Sequence, residues 1–80
     1  MKAKIHVTLK SGVLDPQGQA IQATLDHMGF KGVGHVRVGK FIEVELAETS
    51  AEKAKKSVEQ MCEKLLANTV VEKYVVEMAD

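Results

Sequence analysis

The chain has 80 residues, with 11 basic and 11 acidic side chains, so its formal net charge at neutral pH is zero. Neutral charge and an aromatic content of only 4% argue against a nucleic acid partner, which needs a basic surface and stacking side chains. A single cysteine excludes an internal disulfide, and no apolar run is long enough to span a membrane. We therefore expect one domain over residues 1–80, in the cytoplasm and without a membrane partner.

The first third of the chain predicts a strand, a glycine-containing loop and a helix. Residues 2–9 alternate between apolar and polar side chains, which indicates a strand with one buried face. Asp15 and Pro16 then have the residue types of a helix cap and a first helical position, and the helix runs to about Met28. Gly18 is unusual in a first turn, because glycine there costs about 1 kcal/mol relative to alanine. We interpret this corner of the chain as a contact surface.

The middle of the chain predicts a β-hairpin. His35–Val38 and Phe41–Leu46 both have strand-like composition, and Gly39-Lys40 between them indicates a tight turn, with a bulge at Gly39 as the alternative. Two glycines, Gly32 and Gly34, separate this hairpin from the first helix.

The last third of the chain predicts a helix and a final strand. Thr49 and Glu52 have the spacing of a capping box, which starts a helix that ends near Ala67 and has Leu65 on its apolar stripe. Residues 70–78 predict the last strand. The order is strand, helix, strand, strand, helix, strand. We therefore expect an α+β fold with two helices on one face of a four-stranded antiparallel sheet, the ferredoxin-like or split β-α-β plan.

No set of side chains in the sequence has the pattern of a catalytic or metal site. His6, His35 and Glu43 are potential metal ligands, but nothing fixes their spacing, so no metal site is predicted. Cys62 lies beside an apolar stripe and is interpreted as a buried, inert thiol. These observations favour a role in binding or assembly over catalysis.

Three blocks of the sequence resemble the PurS family, the small subunit of phosphoribosylformylglycinamidine synthase. The blocks are Val7–Ile21, Met28–Glu43 and Leu66–Glu77, and together they cover most of the chain. The first block is the most specific of the three. The chain departs from the family pattern at Thr69, where proline is expected after the asparagine.

This resemblance implies a non-catalytic subunit of an ATP-dependent, glutamine-hydrolysing ligase complex in de novo purine biosynthesis. Such a subunit binds no cofactor or metal of its own, while its partner subunits use ATP, magnesium and glutamine. It associates with itself as a homodimer, or as a dimer of dimers, through its sheet. It bridges a glutaminase subunit and a large synthetase subunit, and it supports the transfer of ammonia between them.

Two groups of residues are the candidate contact sites. Candidates for contact with the larger subunits are Gly12, Asp15, Gln17, Gly18, Arg37 and Lys40, and candidates for the homodimer contact are Phe41, Glu43, Val71 and Val75. On this interpretation, Gly18→Val leaves the fold largely intact and weakens assembly.

Two other functions are compatible with the predicted topology. One is a small-molecule-sensing regulatory domain that acts as a dimer. The other is a nucleic-acid-binding domain, which needs aromatic side chains on the central strands and finds only Phe41 there.

Overall fold

The computed structural model describes residues 1–79, which form three strands, two α-helices and one π-helical turn. The elements in chain order are β1 (Lys2–Leu9), α1 (Pro16–His27), β2 (Gly39–Glu45), α2 (Ala51–Met61), the π turn (Cys62–Leu66) and β3 (Glu72–Ala79). Neither α-helix in this part of the chain is long and apolar enough to cross a membrane.

The sheet is antiparallel, with β1 at its centre and the strand order β2-β1-β3. The alternation that predicted β1 is confirmed, because Ala3, Ile5 and Val7 are almost completely buried on the inner face of the sheet. Lys4 and His6 lie on the outer face, and His6 is exposed. In the ladder, His6 is opposite Phe41 on one side and Val75 on the other.

Helix α2 covers the inner face over β1 and β3, and its buried side completes the core. Ala54, Val58 and Cys62 recur at helical spacing, and none of the three side chains is exposed. The cap of α2 is Ser50, whose hydroxyl accepts from the Lys53 N–H at 3.4 Å, one residue later than the predicted capping box.

The predicted hairpin and the four-stranded sheet are wrong, although the α+β class is right. The chain from 33 to 38 forms no strand and continues directly into β2 without reversing at Gly39. Gly39 lies opposite Thr8 in an unbroken ladder, where a Cβ atom would come 2.6 Å from the carbonyl oxygen of Val7. This glycine therefore permits close approach of two strands, and neither a turn nor a bulge occurs there.

The prediction that two helices cover the sheet is also wrong, because α1 projects away from it. The molecule measures 49 × 26 × 14 Å, and its radius of gyration is 16.1 Å. A compact chain of this length has a radius of gyration of about 12 Å. With α1 displaced, the inner face of β2 has no helix above it, and Ile42 and Val44 are only half-buried.

Val58 and Val75 provide a direct test of where the core lies. Val58→Ala removes two methyl groups from a fully buried side chain, and we expect it to lower the free energy of unfolding by about 2–3 kcal/mol. Val75→Ala, on the outer face at 60% exposure, should change this free energy by less than about 0.5 kcal/mol. Urea denaturation of both variants measures the difference, and equal effects would contradict this assignment of the core.

Candidate functional site

The buried carboxylate of Asp15 holds together the corner that the sequence singled out. Its side chain accepts hydrogen bonds from the N–H of Gly18 and the N–H of Val38, both at 2.8 Å. Asp15 therefore caps α1 and also fixes the chain segment that leads into β2. These two hydrogen bonds, from Gly18 first and then from Val38, hold the pKa of Asp15 below its ordinary value.

Arg37 holds the same corner from its other side. Its Nη1 donates to the carbonyl oxygen of Val13 at 3.0 Å, and its Nη2 donates to those of Lys10 at 3.1 Å and Leu9 at 3.3 Å. The guanidinium thus satisfies carbonyl groups at the end of β1 and in the following loop. We call this arrangement the corner clamp. It consists of Asp15 with its two backbone donors, Gly18 and Val38, and of Arg37 with its three backbone acceptors, Leu9, Lys10 and Val13.

Gly18 is buried inside the corner clamp. A Cβ atom at this position would overlap the carbonyl oxygen of Val36 and come 2.9 Å from the carboxylate of Asp15. The group that approaches Gly18 is therefore backbone of the same chain. The expectation that Gly18→Val leaves the fold intact is wrong, because the larger side chain has no space.

The other candidates at the corner are more accessible. Gly12 is exposed in the loop and has a φ of +87°, a conformation that favours glycine. Gln17 is exposed in the first turn of α1. Lys40 is the second residue of β2 and lies on the inner side of the sheet, where its Nζ is 3.7 Å from the carboxylate of Glu72. Gln17, Arg37 and Lys40 are thus the candidates with exposed side chains, and the guanidinium of Arg37 is already engaged by three carbonyl groups.

Three of the four candidates for the homodimer contact lie together on the outer face of the sheet. Phe41 is 53% exposed and Val75 is 60% exposed, with His6 between them. The rings of His6 and Phe41 are 4.8 Å apart and inclined by 37°. Glu43, one row further along β2, forms a salt bridge with Lys2.

Val71 lies apart from the other homodimer candidates. It is half-buried just before β3, and its carbonyl oxygen accepts from the N–H of Lys10 at 2.8 Å. Its backbone therefore joins the end of β1 to the start of β3, outside the outer-face row.

The described part of the chain holds no cluster of metal ligands and no exposed thiol. Among residues 1–79 there is no group of three or more His, Cys, Asp or Glu side chains that could hold a metal ion. The thiol of Cys62 is fully buried, and burial raises its pKa, which keeps it protonated near neutral pH.

The sequence interpretation missed the exposed apolar surface of α1 and of the loops around it. Leu14 and Met28 are each 67% exposed, and Phe30 is 54% exposed. A shallow groove on α1 is lined by Gln17, Ala20, Ile21, Thr24 and Leu25. Leu14 and Phe30 belong neither to an alternating strand pattern nor to the apolar stripe of a helix. Their position outside both patterns was the sequence signal that could have identified them as exposed.

We expect Gly18→Ala to destabilise the chain, because its Cβ has no space beside the Val36 carbonyl group. The cost should be about 1–3 kcal/mol in the free energy of unfolding. Ser57→Ala, at an exposed position of α2 outside the corner, is the control and should be neutral or slightly stabilising. Chemical denaturation of both variants tests this, and a stable Gly18→Ala protein would refute the packing described for the corner.

We expect the stabilisation by Asp15 to depend on pH. Because the pKa of Asp15 is lowered in the folded state, its contribution is complete above the ordinary aspartate pKa of about 4. The contribution is lost as the pH falls through the lowered value. Asp15→Asn should therefore reduce the melting temperature at pH 7, and its difference from the wild type should shrink below about pH 4. A constant difference from pH 7 to pH 3 would contradict this assignment.

Comparison with known proteins identifies relatives over nearly the whole chain. The family model described as PurS, phosphoribosylformylglycinamidine (FGAM) synthase, matches residues 2–80. The phosphoribosylformylglycinamidine synthase subunit PurS of Bacillus subtilis is 47% identical over 79 residues, which cover 99% of this chain and 93% of that protein. The corresponding subunit of Synechocystis is 45% identical over 75 residues, covering 94% of this chain and 75% of that protein.

Solved structures agree with the sequence comparison. The structure of B. subtilis PurS in a C2 crystal form superposes with a TM-score of 0.89 at 47% identity and covers 99% of this chain and 98% of that chain. A chain in the structure of PurLQS from Thermotoga maritima superposes with a TM-score of 0.87 at 39% identity, covering 95% of this chain and 93% of that chain. On this agreement of sequence and fold, the chain belongs to the PurS family.

Proposed function

We propose that this chain is the small subunit of phosphoribosylformylglycinamidine synthase in purine biosynthesis, and that it is an obligate, non-catalytic part of that ligase complex. The observation that carries the proposal is the match over residues 2–80, together with the shared fold of a chain in the T. maritima PurLQS structure. On this proposal the corner clamp and the sheet contribute binding surfaces to the complex.

Within the complex, we propose that the chain bridges the glutaminase and the ATP-dependent synthetase in the cytoplasm. The partner subunits use ATP, magnesium and glutamine, and ammonia passes from one to the other. Gln17 and Lys40 are exposed corner residues whose side chains donate to no carbonyl group of the corner, which favours them for contact with a larger subunit. Asp15, Gly18 and Arg37 act indirectly, because they set the position of α1 relative to the sheet.

The exposed area of the chain supports a homodimer as the working unit. The accessible surface is 5746 Å² for a mass of 8.7 kDa. A compact monomer of that mass exposes about 4700 Å², so about 1000 Å² is in excess. A standard protein interface buries about 800 Å² on each partner, which is similar to this excess.

Two features of the chain indicate where a second copy would bind: a segment with unpaired backbone groups, and apolar surface that no other element covers. Segment 33–37, which leads into β2, has no backbone hydrogen-bond partner among residues 1–79, although backbone N–H and C=O groups are paired when buried. The groove on α1 and the uncovered inner side of β2 both expose apolar atoms. We propose that α1 and segment 33–37 of each copy pack on the other copy, in a two-fold contact.

The outer face of the sheet remains available for a second level of association. Phe41 and Val75 form a row there with His6 between them. Among the described residues, no helix covers this side of the sheet. This row is our candidate contact between two dimers.

Enzymatic turnover tests the proposed function. The chain is combined with the glutaminase and synthetase subunits, and formation of the amidine product is measured with glutamine or with ammonia as nitrogen donor. We expect glutamine-dependent turnover to require the chain, while ammonia-dependent turnover requires it less. Equal glutamine-dependent turnover without the chain would refute the proposal, and a thermal shift with amino acids or nucleotides alone would favour a ligand-sensing domain.

The oligomeric state tests the proposed homodimer contact. Ile21→Glu places a charge in the groove on α1, where the wild-type side chain is 38% exposed, and should shift the molecular mass measured by sedimentation towards that of the monomer. Gln19→Glu introduces the same charge on an exposed part of the same helix and should leave the mass unchanged. A dimer that survives Ile21→Glu would exclude this contact.

A further inference from the structure

Strand pairing arranges the exposed side chains on the outer face of the sheet in rows that cross all three strands. His6 on β1 lies opposite Phe41 on β2 and opposite Val75 on β3, and residues that pair in an antiparallel ladder point to the same face. All three side chains are exposed, and the rings of His6 and Phe41 are 4.8 Å apart. We call these three residues the His6 row.

The rows on either side of the His6 row carry equal numbers of basic and acidic side chains. The charged groups that surround His6 on this face are Lys4 on its own strand, Glu43 on β2, and Lys73 and Glu77 on β3. Glu43 also forms a salt bridge with Lys2. The outer face is therefore electrically balanced around a centre that contains two apolar side chains.

A second copy of this chain fits the outer face when the two-fold axis runs along the His6 row. Each residue of that row then lies next to its own copy, because a residue on a two-fold axis meets itself. The two neighbouring rows are exchanged, so that Glu77 of one copy lies opposite Lys73 of the other, and Lys4 lies opposite Thr8. Aligned sheets keep their strands within about 30° of each other, which preserves this correspondence near the axis.

Other two-fold axes bring like charges together. An axis parallel to the strands along β1 places Lys4 against its own copy and Glu43 against Glu77. An axis along the row of Lys4 places Lys4 and both glutamates against their own copies. Like charges that lie directly opposite each other are destabilising. The charge pattern therefore favours the axis along the His6 row, where Glu43 faces Gly39 and keeps its salt bridge with Lys2.

This arrangement makes the contact depend on the charge of His6. Imidazole is the side chain that ordinarily changes charge between about pH 5 and pH 8. When His6 is neutral, the row can lose its water at little cost, but protonation places two like charges at the axis beside Phe41 and Val75. The surrounding carboxylates are already paired, Glu77 with Lys73 of the other copy and Glu43 with Lys2.

We propose that the outer face binds the outer face of a second copy about an axis along the His6 row, and that protonation of His6 opens this contact. The proposal rests on the proposed function, because it gives a geometry and a regulation to the contact between two dimers. The association of dimers then decreases as the pH falls from the neutral range.

Sedimentation of the full chain at constant ionic strength tests the role of His6. Between about pH 7.5 and about pH 5.5, we expect the dissociation constant of the tetramer to rise by about tenfold or more. His6→Gln should form tetramers at both pH values, and His6→Lys should remain dimeric at both. His27→Gln, the histidine control at the exposed end of α1, should behave like the wild type. A wild type without tetramers at the higher pH, or a pH dependence that persists in His6→Gln, would overturn the proposal.

Mixing two charge variants tests the position of the axis. Lys73→Glu alone and Glu77→Lys alone each place like charges opposite each other, and each should weaken the tetramer by about tenfold. A mixture of the two variants restores opposite charges at both contacts, so mixed tetramers should form with about the wild-type affinity. If the mixture associates no better than either variant alone, the proposed axis is wrong.

Two further measurements separate this proposal from other effects. The melting temperature at about pH 5.5 should match that at neutral pH, because the contribution of Asp15 is lost only below about pH 4. Glutamine-dependent turnover with the larger subunits reports on the proposed function. If that turnover requires the chain but the tetramer does not respond to His6, only this inference fails; if turnover does not require the chain, the proposed function fails.

Discussion

The two hydrogen bonds accepted by Asp15 are the constraint on which the shape of the molecule depends. An isolated helix of 12 residues is only marginally stable in water, and α1 has no packing on its own sheet to support it. Asp15 caps its first turn and at the same time holds the Val38 N–H, 23 residues further along the chain. The orientation of α1 therefore depends on a polar contact at one end, where most helices depend on an apolar face.

Close backbone packing at two glycines reinforces this polar contact. The Val36 carbonyl group lies against Gly18, and the Val7 carbonyl group lies against Gly39, so both ends of the segment that leads into β2 have restricted positions. Arg37, between them, donates to carbonyl groups on the opposite side. The segment is thus held in place although it lacks a ladder partner, and a pre-organised segment loses less conformational entropy on binding.

Local signals in the sequence predicted the local structure well, and contacts between distant residues were harder to predict. The alternation of residues 2–9 and the Asp15-Pro16 helix start are confirmed, because both depend on neighbours in the chain. Residues 35–38 alternate like a strand, yet whether they pair depends on a partner that the described chain itself does not provide. The bond from the Val38 N–H to Asp15 was not predictable, because spacing in sequence does not encode it.

The burial of Leu65 was also predicted wrongly from the sequence. Its spacing from Val58 and Met61 is that of a buried residue in an α-helix, but the π turn contains one extra residue, which hydrophobic periodicity does not reveal. For the candidate site as a whole, sequence identified the corner, and only the structure showed that Asp15 and Gly18 are buried within it while Gln17, Arg37 and Lys40 are exposed.

These features link the stability of this small subunit to its assembly with partners. A small chain that extends one helix and leaves half of its sheet uncovered cannot bury enough apolar surface alone, so its stability should rise with the concentration of its partners. Folding and assembly are then coupled by mass action, and changes in the corner clamp act on both. On our proposal the positions of the surfaces are the functional property of this subunit, and Asp15, Arg37 and Gly18 contribute to it by holding the corner together.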